Sequence, residues 1–281
     1  MTDTDAMKKY SIEIKPPKGL VGVDFRELWR YRDLLRALVE RNIKVRYKQT
    51  IIGVGWAIFQ PLTTMIIFTI FFGRLAGMPS DGIPYPIFVY AGLLYWTFFS
   101  TALSGASNSM IENTNMIQKI YFPRLLAPLS AILTPAIDFA VALLILFVLM
   151  AYYHYAPNLV GLLLIPVLVI CTVLAMLGVG LLFAALNVKY RDVRYVLPFF
   201  IQMFMFITPV IYPVSIIPEK FRWIAALNPM SGVITVSRST LLGDGSIDWL
   251  SLLISVSVGI ALLIIGLAYF KKTERFFADV I

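Results

Sequence analysis

Long apolar runs limit what this chain can fold into more than any other feature of its sequence. A helix needs roughly 20 apolar residues to cross the hydrocarbon core of a bilayer. Six stretches approach or exceed that length: 51–72, 87–110, 125–153, 159–186, 196–212 and 250–270. The fifth is the shortest, and Pro198 and Pro209 interrupt it. The sequence therefore predicts an all-α membrane protein with six transmembrane helices.

The composition agrees with a membrane protein and excludes several other classes. Of the 281 residues, 59% are hydrophobic and 14% are charged, whereas soluble domains are about 25% charged. The net charge of +8 does not indicate nucleic-acid binding, because the basic residues gather at the ends of the apolar runs. The single cysteine, Cys171, excludes a disulfide framework. The start of the sequence lacks the basic and apolar regions of a cleavable signal peptide, so we expect the first span to direct insertion.

The distribution of basic residues predicts the orientation. Six spans place both termini on one side of the membrane. If that side is the cytoplasm, its segments 1–50, 111–124, 187–195 and 271–281 contain 20 of the 24 Lys and Arg residues. Cytoplasmic loops are enriched in these residues, so we predict cytoplasmic termini.

Residues 113–124, here called the polar segment, connect the second and third runs. The segment combines amide groups, basic groups and apolar side chains in a short turn, and Pro123 can open the helix that follows. This composition suits a handle for another protein. From these residues alone, an ordinary cytoplasmic loop is an equal alternative.

Two further regions have irregular or amphipathic patterns. After a flexible lead-in, 1–23, residues 24–48 form a basic amphipathic helix. This helix is expected to lie in the headgroup plane, the alternative being a helix that packs on a soluble partner. The segment 213–249 is long for a connection between spans, yet it is far from hydrophilic. Its sequence predicts two short helices, 219–227 and 230–242. These either re-enter the outer leaflet or rest on the outer surface as a hairpin.

The sequence contains little that could support catalysis. It has no phosphate-binding loop of the Walker type, and His154 is its only histidine. We expect no catalytic residue, no metal site and no cofactor bound by this chain. Asp138 is the one ionisable residue within the spans, and it either faces a functional pathway or forms a packing hydrogen bond. The small residues of 100–109 are expected at a helix–helix contact.

Four motifs occur in an order that resembles a known family. These are residues 46–61, which join the amphipathic helix to the first span, the polar segment, the loop 186–194 and the Thr-Pro-Val-Ile-Tyr-Pro stretch 208–213. Together they resemble the permease subunit of ABC-2-type exporters of O-antigen, capsule or teichoic acid chains. The resemblance covers about residues 24–275.

The resemblance implies an architecture, partners and a substrate. It implies an interface helix at 24–48, a transmembrane domain at 49–281 and outer re-entrant helices within 213–249. Two copies would form a channel in the bacterial inner membrane, with two ATP-binding subunits below that hold the ATP and Mg. The substrate would be a polyprenyl-pyrophosphate-linked glycan, and lipids rather than nucleic acid would be the other partners.

The resemblance also implies three sets of functional residues. The residues expected to couple to the ATPase are Asn113, Asn115, Gln118, Lys119, Tyr121, Arg124, Lys189, Arg191, Asp192 and Arg194. The residues expected to contact the pyrophosphate at the entrance are Arg32, Arg36 and Arg46. The residues expected to line the channel are Trp56, Phe59, Tyr90, Tyr95, Trp96, Phe99, Phe200, Phe204 and Asp138.

Three other functions remain open at this point. The chain could belong to an ABC-2 exporter of a drug or a small lipid. It could be a membrane enzyme acting on lipid-linked sugars, which would need catalytic groups such as Asp138, Asp192 or His154. It could also be a scaffold or sensor that needs no ATPase.

Overall fold

The structure is a computed structural model that describes residues 24–48, 53, 55–190, 192–274 and 277. These residues form helices and turns, and no strand occurs among them. The predicted lead-in, 1–23, and the candidate coupling residue Arg191 lie outside the described residues.

Twelve α-helices follow one another in the described part of the chain. The first two, α1 (Phe25–Arg30) and α2 (Arg32–Tyr47), form the predicted interface helix with a bend at Tyr31. The others are α3 (Gly55–Leu75), α4 (Tyr85–Glu112), α5 (Thr114–Lys119), α6 (Leu126–Leu133), α7 (Ala136–Tyr152), α8 (Leu159–Lys189), α9 (Val193–Ile207), α10 (Glu219–Ala226), α11 (Pro229–Leu241) and α12 (Trp249–Glu274). The last turns of α3, Thr69–Leu75, have π-helical geometry.

Five helical segments among the described residues are long and apolar enough to cross a membrane. They are α3, α4, α6 together with α7, α8 and α12. The fifth predicted stretch forms α9, which has 15 residues and is therefore about 22 Å long, short of the ~30 Å hydrocarbon core. It ends at Ile207, before the proline at 209. A sixth crossing through α9 stays a prediction.

Helix α4 is the centre of the bundle. It packs against α3, α6, α7, α8 and α11, and Ile87, Val89, Ala91 and Tyr95 on it are fully buried. A helix that is apolar on all sides is expected in such a position. The prediction that 100–109 lie at a helix–helix contact is confirmed, because Ala106 packs against Gly180 of α8 and Gly105 faces Ala131 of α6.

Helices α8 and α12 approach each other closely through glycines. A Cβ on Gly266 would overlap the carbonyl oxygen of Gly178, and a Cβ on Gly178 would overlap the backbone at Leu263. This crossing is not evident from the sequence, since neither glycine has a small residue four positions before or after it on its own helix.

The two ends of the bundle differ, and we call the end that holds the polar segment the inner end. There the interface helix packs against α6. A second apolar cluster at this end joins Leu38 of α2, Ile117 of α5, Phe122, and Phe270 and Phe277 at the C-terminal end of the described chain.

The outer end contains the two short helices predicted within 213–249, observed as α10 and α11 within one residue of the predicted bounds. The side chain of Asn228 caps α11 and donates to Thr208 at 2.7 Å. Arg238 of α11 is buried and donates to the carbonyl oxygens of Phe88, Pro209 and Val210. These contacts fix α11 against the bundle, but whether it enters the outer leaflet stays a prediction.

Candidate functional site

The polar segment is fastened to the bundle at its beginning. Asn113 is buried, its amide donates to the carbonyl of Ser109 at 2.7 Å, and its side-chain oxygen accepts from Arg41 of α2 at 2.7 Å. Ile117 and Phe122 point into the inner apolar cluster. The interface helix and the polar segment are therefore held together, and Asn113 serves that contact rather than an outside partner.

The opposite side of the polar segment is open. Its exposed side chains are Asn115, Gln118, Lys119, Ile120 and Tyr121, with Ile120 61% exposed and Tyr121 58% exposed. The Tyr121 hydroxyl donates to Glu27 of α1 at 3.4 Å. Partial burial and then the Glu27 carboxylate raise the pKa of Tyr121 above its ordinary value. The result is an exposed surface with apolar side chains beside amide and ammonium groups.

Arg124 closes the polar segment and faces the C-terminal end of the described chain. Its guanidinium donates to the backbone carbonyl of Glu274 and lies 5.8 Å from the centre of the Phe277 ring. A cation near the C-terminal carbonyls of a helix is favourable. Arg124 therefore ties the polar segment to the end of α12 in this conformation.

The second predicted coupling element, the end of α8 and the start of α9, lies at the same end of the bundle. The Asn187 amide donates to the carbonyl of Ser107 and to the side chain of Asn108 on α4, each at 3.0 Å. Lys189, Asp192 and Arg194 are exposed. The structure thus joins the second predicted coupling element to the C-terminal turns of α4, directly before the polar segment.

The three arginines predicted to contact a pyrophosphate do not meet. Arg32 and Arg36 lie near the start of α2 and both approach the exposed carboxylate of Asp33, at 4.0 and 3.6 Å. Arg46 lies ten residues beyond Arg36, about 15 Å along the helix. It forms an ion pair with Asp138 of α7, with 2.6 Å between Nη2 and Oδ2.

Asp138 has a second partner, Tyr47, whose hydroxyl donates to Oδ1. Burial and the neighbouring carboxylate raise the pKa of Tyr47 to about 12, so this hydroxyl keeps its proton. Of the two readings of Asp138, the structure supports a polar contact made inside one chain.

The aromatic residues predicted to line a channel separate into two groups. Tyr90, Tyr95, Trp96 and Phe99 are at most 4% exposed and pack inside a single chain, so in this conformation they face other helices rather than a path. The reason is that α4, on which all four lie, is enclosed by its neighbours. The exposed members of the set are Trp56, Phe59 and Phe200, while Phe204 packs partly under Trp96.

Groups for catalysis or metal binding are sparse in the part of the chain that the structure describes. No three His, Cys, Asp or Glu residues there come together as a metal site would need. His154 lies at the end of α7 and Asp138 in its first turn, which is about 24 Å apart along the helix.

These features define a multi-pass membrane protein whose predicted coupling elements lie together at one end. Comparison with known proteins gives the family: residues 33–242 match the ABC-2 type transporter family, and the chain belongs to it. It is 30% identical to an O-antigen export system permease protein from Klebsiella pneumoniae over 249 residues, 89% of this chain and 95% of that protein.

Two further relatives extend the comparison. An O-antigen export system permease protein from Myxococcus xanthus is 29% identical over 257 residues, 90% of this chain and 97% of that protein. A polysialic acid transport protein from Escherichia coli is 26% identical over 248 residues, 86% of this chain and 93% of that protein. The resemblance stated from the sequence motifs is confirmed, and the family implies an ABC transporter with a partner ATPase.

Three residues that hold the interface helix against the rest of the chain were not predicted from the sequence: Glu27, Arg41 and Tyr47. Each is a polar residue of the interface helix that contacts a predicted site residue, namely Tyr121, Asn113 and Asp138. One signal was available, because a lone carboxylate within a span needs a partner, and Arg46 and Tyr47 directly precede the first apolar run.

Proposed function

We propose that this chain is the permease subunit of an ABC transporter that exports a polyprenyl-linked polysaccharide across the bacterial inner membrane. The observation that carries the proposal is that relatives named for O-antigen export and polysialic acid transport match about nine-tenths of this chain. ATP hydrolysis takes place in a separate subunit that binds Mg and ATP, since this sequence has no phosphate-binding loop.

The exposed side of the polar segment and the loop at 187–194 form the surface that contacts the ATPase. The exposed Ile120 and Tyr121 are the apolar anchors, because aromatic and apolar residues surrounded by polar groups are typical of such contacts. The exposed groups of Asn115, Gln118, Lys119, Lys189, Asp192 and Arg194 form the polar rim. This end faces the cytoplasm, as the excess of Lys and Arg there predicts.

Two copies of the chain form the channel, with two ATPase subunits below them. Support comes from exposed apolar faces that one bundle leaves uncovered, on α3 (Trp56, Phe59) and on α9 (Phe199, Phe200, Phe206). Cyclic pairing of identical chains is the commonest closed assembly. The remainder of these faces contacts lipid.

Export is tested in the source bacterium by deleting the gene and restoring it on a plasmid. The proposal expects polymer to disappear from the cell surface and to accumulate inside, and to return with the plasmid. A deletion strain with unchanged surface polysaccharide would contradict the proposed substrate class. A strain that instead becomes sensitive to a small toxic compound would support export of a drug or lipid.

A further inference from the structure

The contact between Arg46, Tyr47 and Asp138 joins the end of the interface helix to the middle of a membrane span. Arg46 and Tyr47 are the last two residues of α2, and Asp138 lies in the first turn of α7. Both carboxylate oxygens are used, one by the Arg46 guanidinium and one by the Tyr47 hydroxyl. The Asp138 side chain is 17% exposed and that of Arg46 38% exposed.

The position of this contact along the bundle is deep. Phe139, the neighbour of Asp138, packs against Tyr95 and Phe98 with ring centres 5.4 and 5.0 Å apart. Tyr95 and Phe98 lie near the middle of α4, whose 28 residues span the bundle. Charged groups at such a depth are costly unless they are paired, so each member of the pair depends on the other.

A small cavity lies beside the pair. It has a volume of about 80 Å³ and is lined by Arg46 and Asp138 together with Trp56, Gln60, Thr97 and Thr101. Pockets that bind ligands usually measure about 300–1,000 Å³. The cavity is therefore too small for a sugar or a lipid headgroup while α2 remains attached to α7 through this contact.

The Arg46 guanidinium binds an anionic oxygen of Asp138, and a diphosphate headgroup would offer it anionic oxygens as well. Its planar fork binds carboxylate and phosphate oxygens with the same geometry. A diphosphate brings more negative charge than the single Asp138 carboxylate and can replace it on Arg46. Asp138 then keeps the Tyr47 hydroxyl as its donor, so the exchange does not leave the carboxylate without a hydrogen bond.

Arg32 and Arg36 differ from Arg46 in this respect. They are exposed and their only ion-pair partner among the described residues is the exposed Asp33. Exposed ion pairs contribute little, so these two arginines can attract an anion without any rearrangement. Of these three arginines, Arg46 is the one whose internal contact must open before it can bind an anion.

We propose that Asp138 is an internal competitor for the Arg46 anion site, and that the diphosphate headgroup of the lipid-linked substrate opens the inner entrance by displacing it. This rests on the proposed function, which supplies the diphosphate. Displacement breaks the ion pair between the end of α2 and α7 and leaves the weaker Tyr47 hydrogen bond to Asp138 between them. The end of α2 can then move away from α7 more often, which enlarges the cavity beside Trp56 and couples entrance opening to the presence of substrate.

The opening is measured by cross-linking the interface helix to α6 in the complete transporter, reconstituted in nanodiscs. Asn42 of α2 lies 3.4 Å from Ser130 of α6 through its side-chain amide, so the parent protein carries Asn42→Cys, Ser130→Cys and Cys171→Ser. The rate of disulfide formation reports how often α2 lies on α6. The probes are a polyprenyl diphosphate and, as the uncharged control, the matching polyprenol.

The proposal expects polyprenyl diphosphate to slow cross-linking at least fivefold in the parent, and the polyprenol to leave it unchanged. Asp138→Asn is expected to cross-link slowly without any lipid and to lose the response. Glu40→Gln, which removes an exposed carboxylate from the same helix, is expected to behave as the parent. If Asp138→Asn does not fold, Tyr47→Phe serves in its place, with a cross-linking rate between those expected for the parent and for Asp138→Asn.

Two results would overturn the proposal. One is an Asp138→Asn or Tyr47→Phe protein that cross-links and responds to the diphosphate as the parent does. The other is a parent protein that exports polymer in cells while its cross-linking ignores the diphosphate, which would leave the proposed function standing. Failure of polymer export in the deletion and rescue experiment would contradict the proposed function itself.

Discussion

The guanidinium of Arg124 donates a hydrogen bond to the backbone carbonyl of Glu274, 150 residues further along the chain. The same guanidinium lies over the ring of Phe277, which is fully buried with Phe270 in the inner apolar cluster. The polar segment is thus attached to the last span as well as to the interface helix. A displacement of the polar segment is therefore expected to move the last span and the interface helix with it.

Removing the Arg124 side chain tests this attachment. Arg124→Ala is expected to lower the free energy of unfolding by about 1.5–3 kcal/mol, the usual contribution of a charged hydrogen bond, measured by denaturant titration in micelles. Lys119→Ala is the control, because it removes an exposed basic side chain from the same segment. Equal losses in the two variants would contradict the attachment.

The glycine crossing of α8 and α12 is expected to be intolerant of a methyl group. Gly178→Ala and Gly266→Ala each place a Cβ against backbone atoms of the other helix and should destabilise by about 1–3 kcal/mol or more through overpacking. Gly259 lies on α12, as Gly266 does, but a Cβ there would have its nearest neighbours at 3.7 Å. Gly259→Ala should therefore leave the stability unchanged. Thermal unfolding of the purified proteins measures the stability of the three variants. A loss of stability in Gly259→Ala as large as in Gly266→Ala would contradict the close glycine contact between α8 and α12.

Arg238 is expected to be essential for the outer end. Arg238→Met removes the donor from three carbonyl oxygens and the cation that lies 3.7 Å from the Phe88 ring centre. Each charged hydrogen bond contributes about 1.5–3 kcal/mol, so the variant should fold poorly or lose export. Arg222→Met, an exposed outer arginine paired with Glu219 at 3.7 Å, should remain active. Protein yield and the amount of cell-surface polymer are measured for both variants. Normal yield with normal export in Arg238→Met would contradict the essential role of Arg238 at the outer end.

Tyr121 is expected to act as a neutral side chain between pH 6 and 9. Its pKa is raised above the ordinary value of the phenol by partial burial and by Glu27, so the uncharged form is favoured and ionisation is pushed to more alkaline pH. Tyr121→Phe should therefore retain most ATPase activity of the transporter and show the same pH profile from pH 6 to 9. A pH profile of ATPase activity that differs between Tyr121→Phe and the unchanged protein would contradict this expectation, because it would show that the hydroxyl ionises in this range.

Much of the fold follows from the sequence because it depends on length and polarity along the chain. The apolar runs, the interface helix at 24–48 and the pair of short helices α10 and α11 are all recognisable in this way. The polar segment is also recognisable, since twelve residues between two long apolar runs must form a turn at a membrane surface. Gln118, Lys119 and Tyr121 of this segment are exposed, and their contact with an ATPase stays a prediction.

The lateral arrangement of the helices is what the sequence could not provide. Tyr90 and Tyr95 are buried because α4 is the central helix, and hydropathy does not indicate this position, since α4 has a mean hydropathy of 1.4 against 2.9 for α8 and 2.7 for α12. The partner of Asp138 lies 92 residues earlier at Arg46, and no local pattern relates the two. The short α9 reflects Pro209 and the chain reversal after Ile207, which hydropathy alone does not locate.

Affinity capture of this chain from its own membrane in mild detergent tests the central claim most directly, with the co-purifying proteins identified and ATP hydrolysis assayed. We predict a stoichiometric subunit with a phosphate-binding loop, lost when the exposed Ile120 and Tyr121 are both changed to alanine. The control is Tyr152→Ala, since Tyr152 is also exposed but lies at the outer end of α7. A chain that purifies alone and without ATPase activity, or an ATPase whose binding ignores the double change, would contradict a permease coupled through the polar segment.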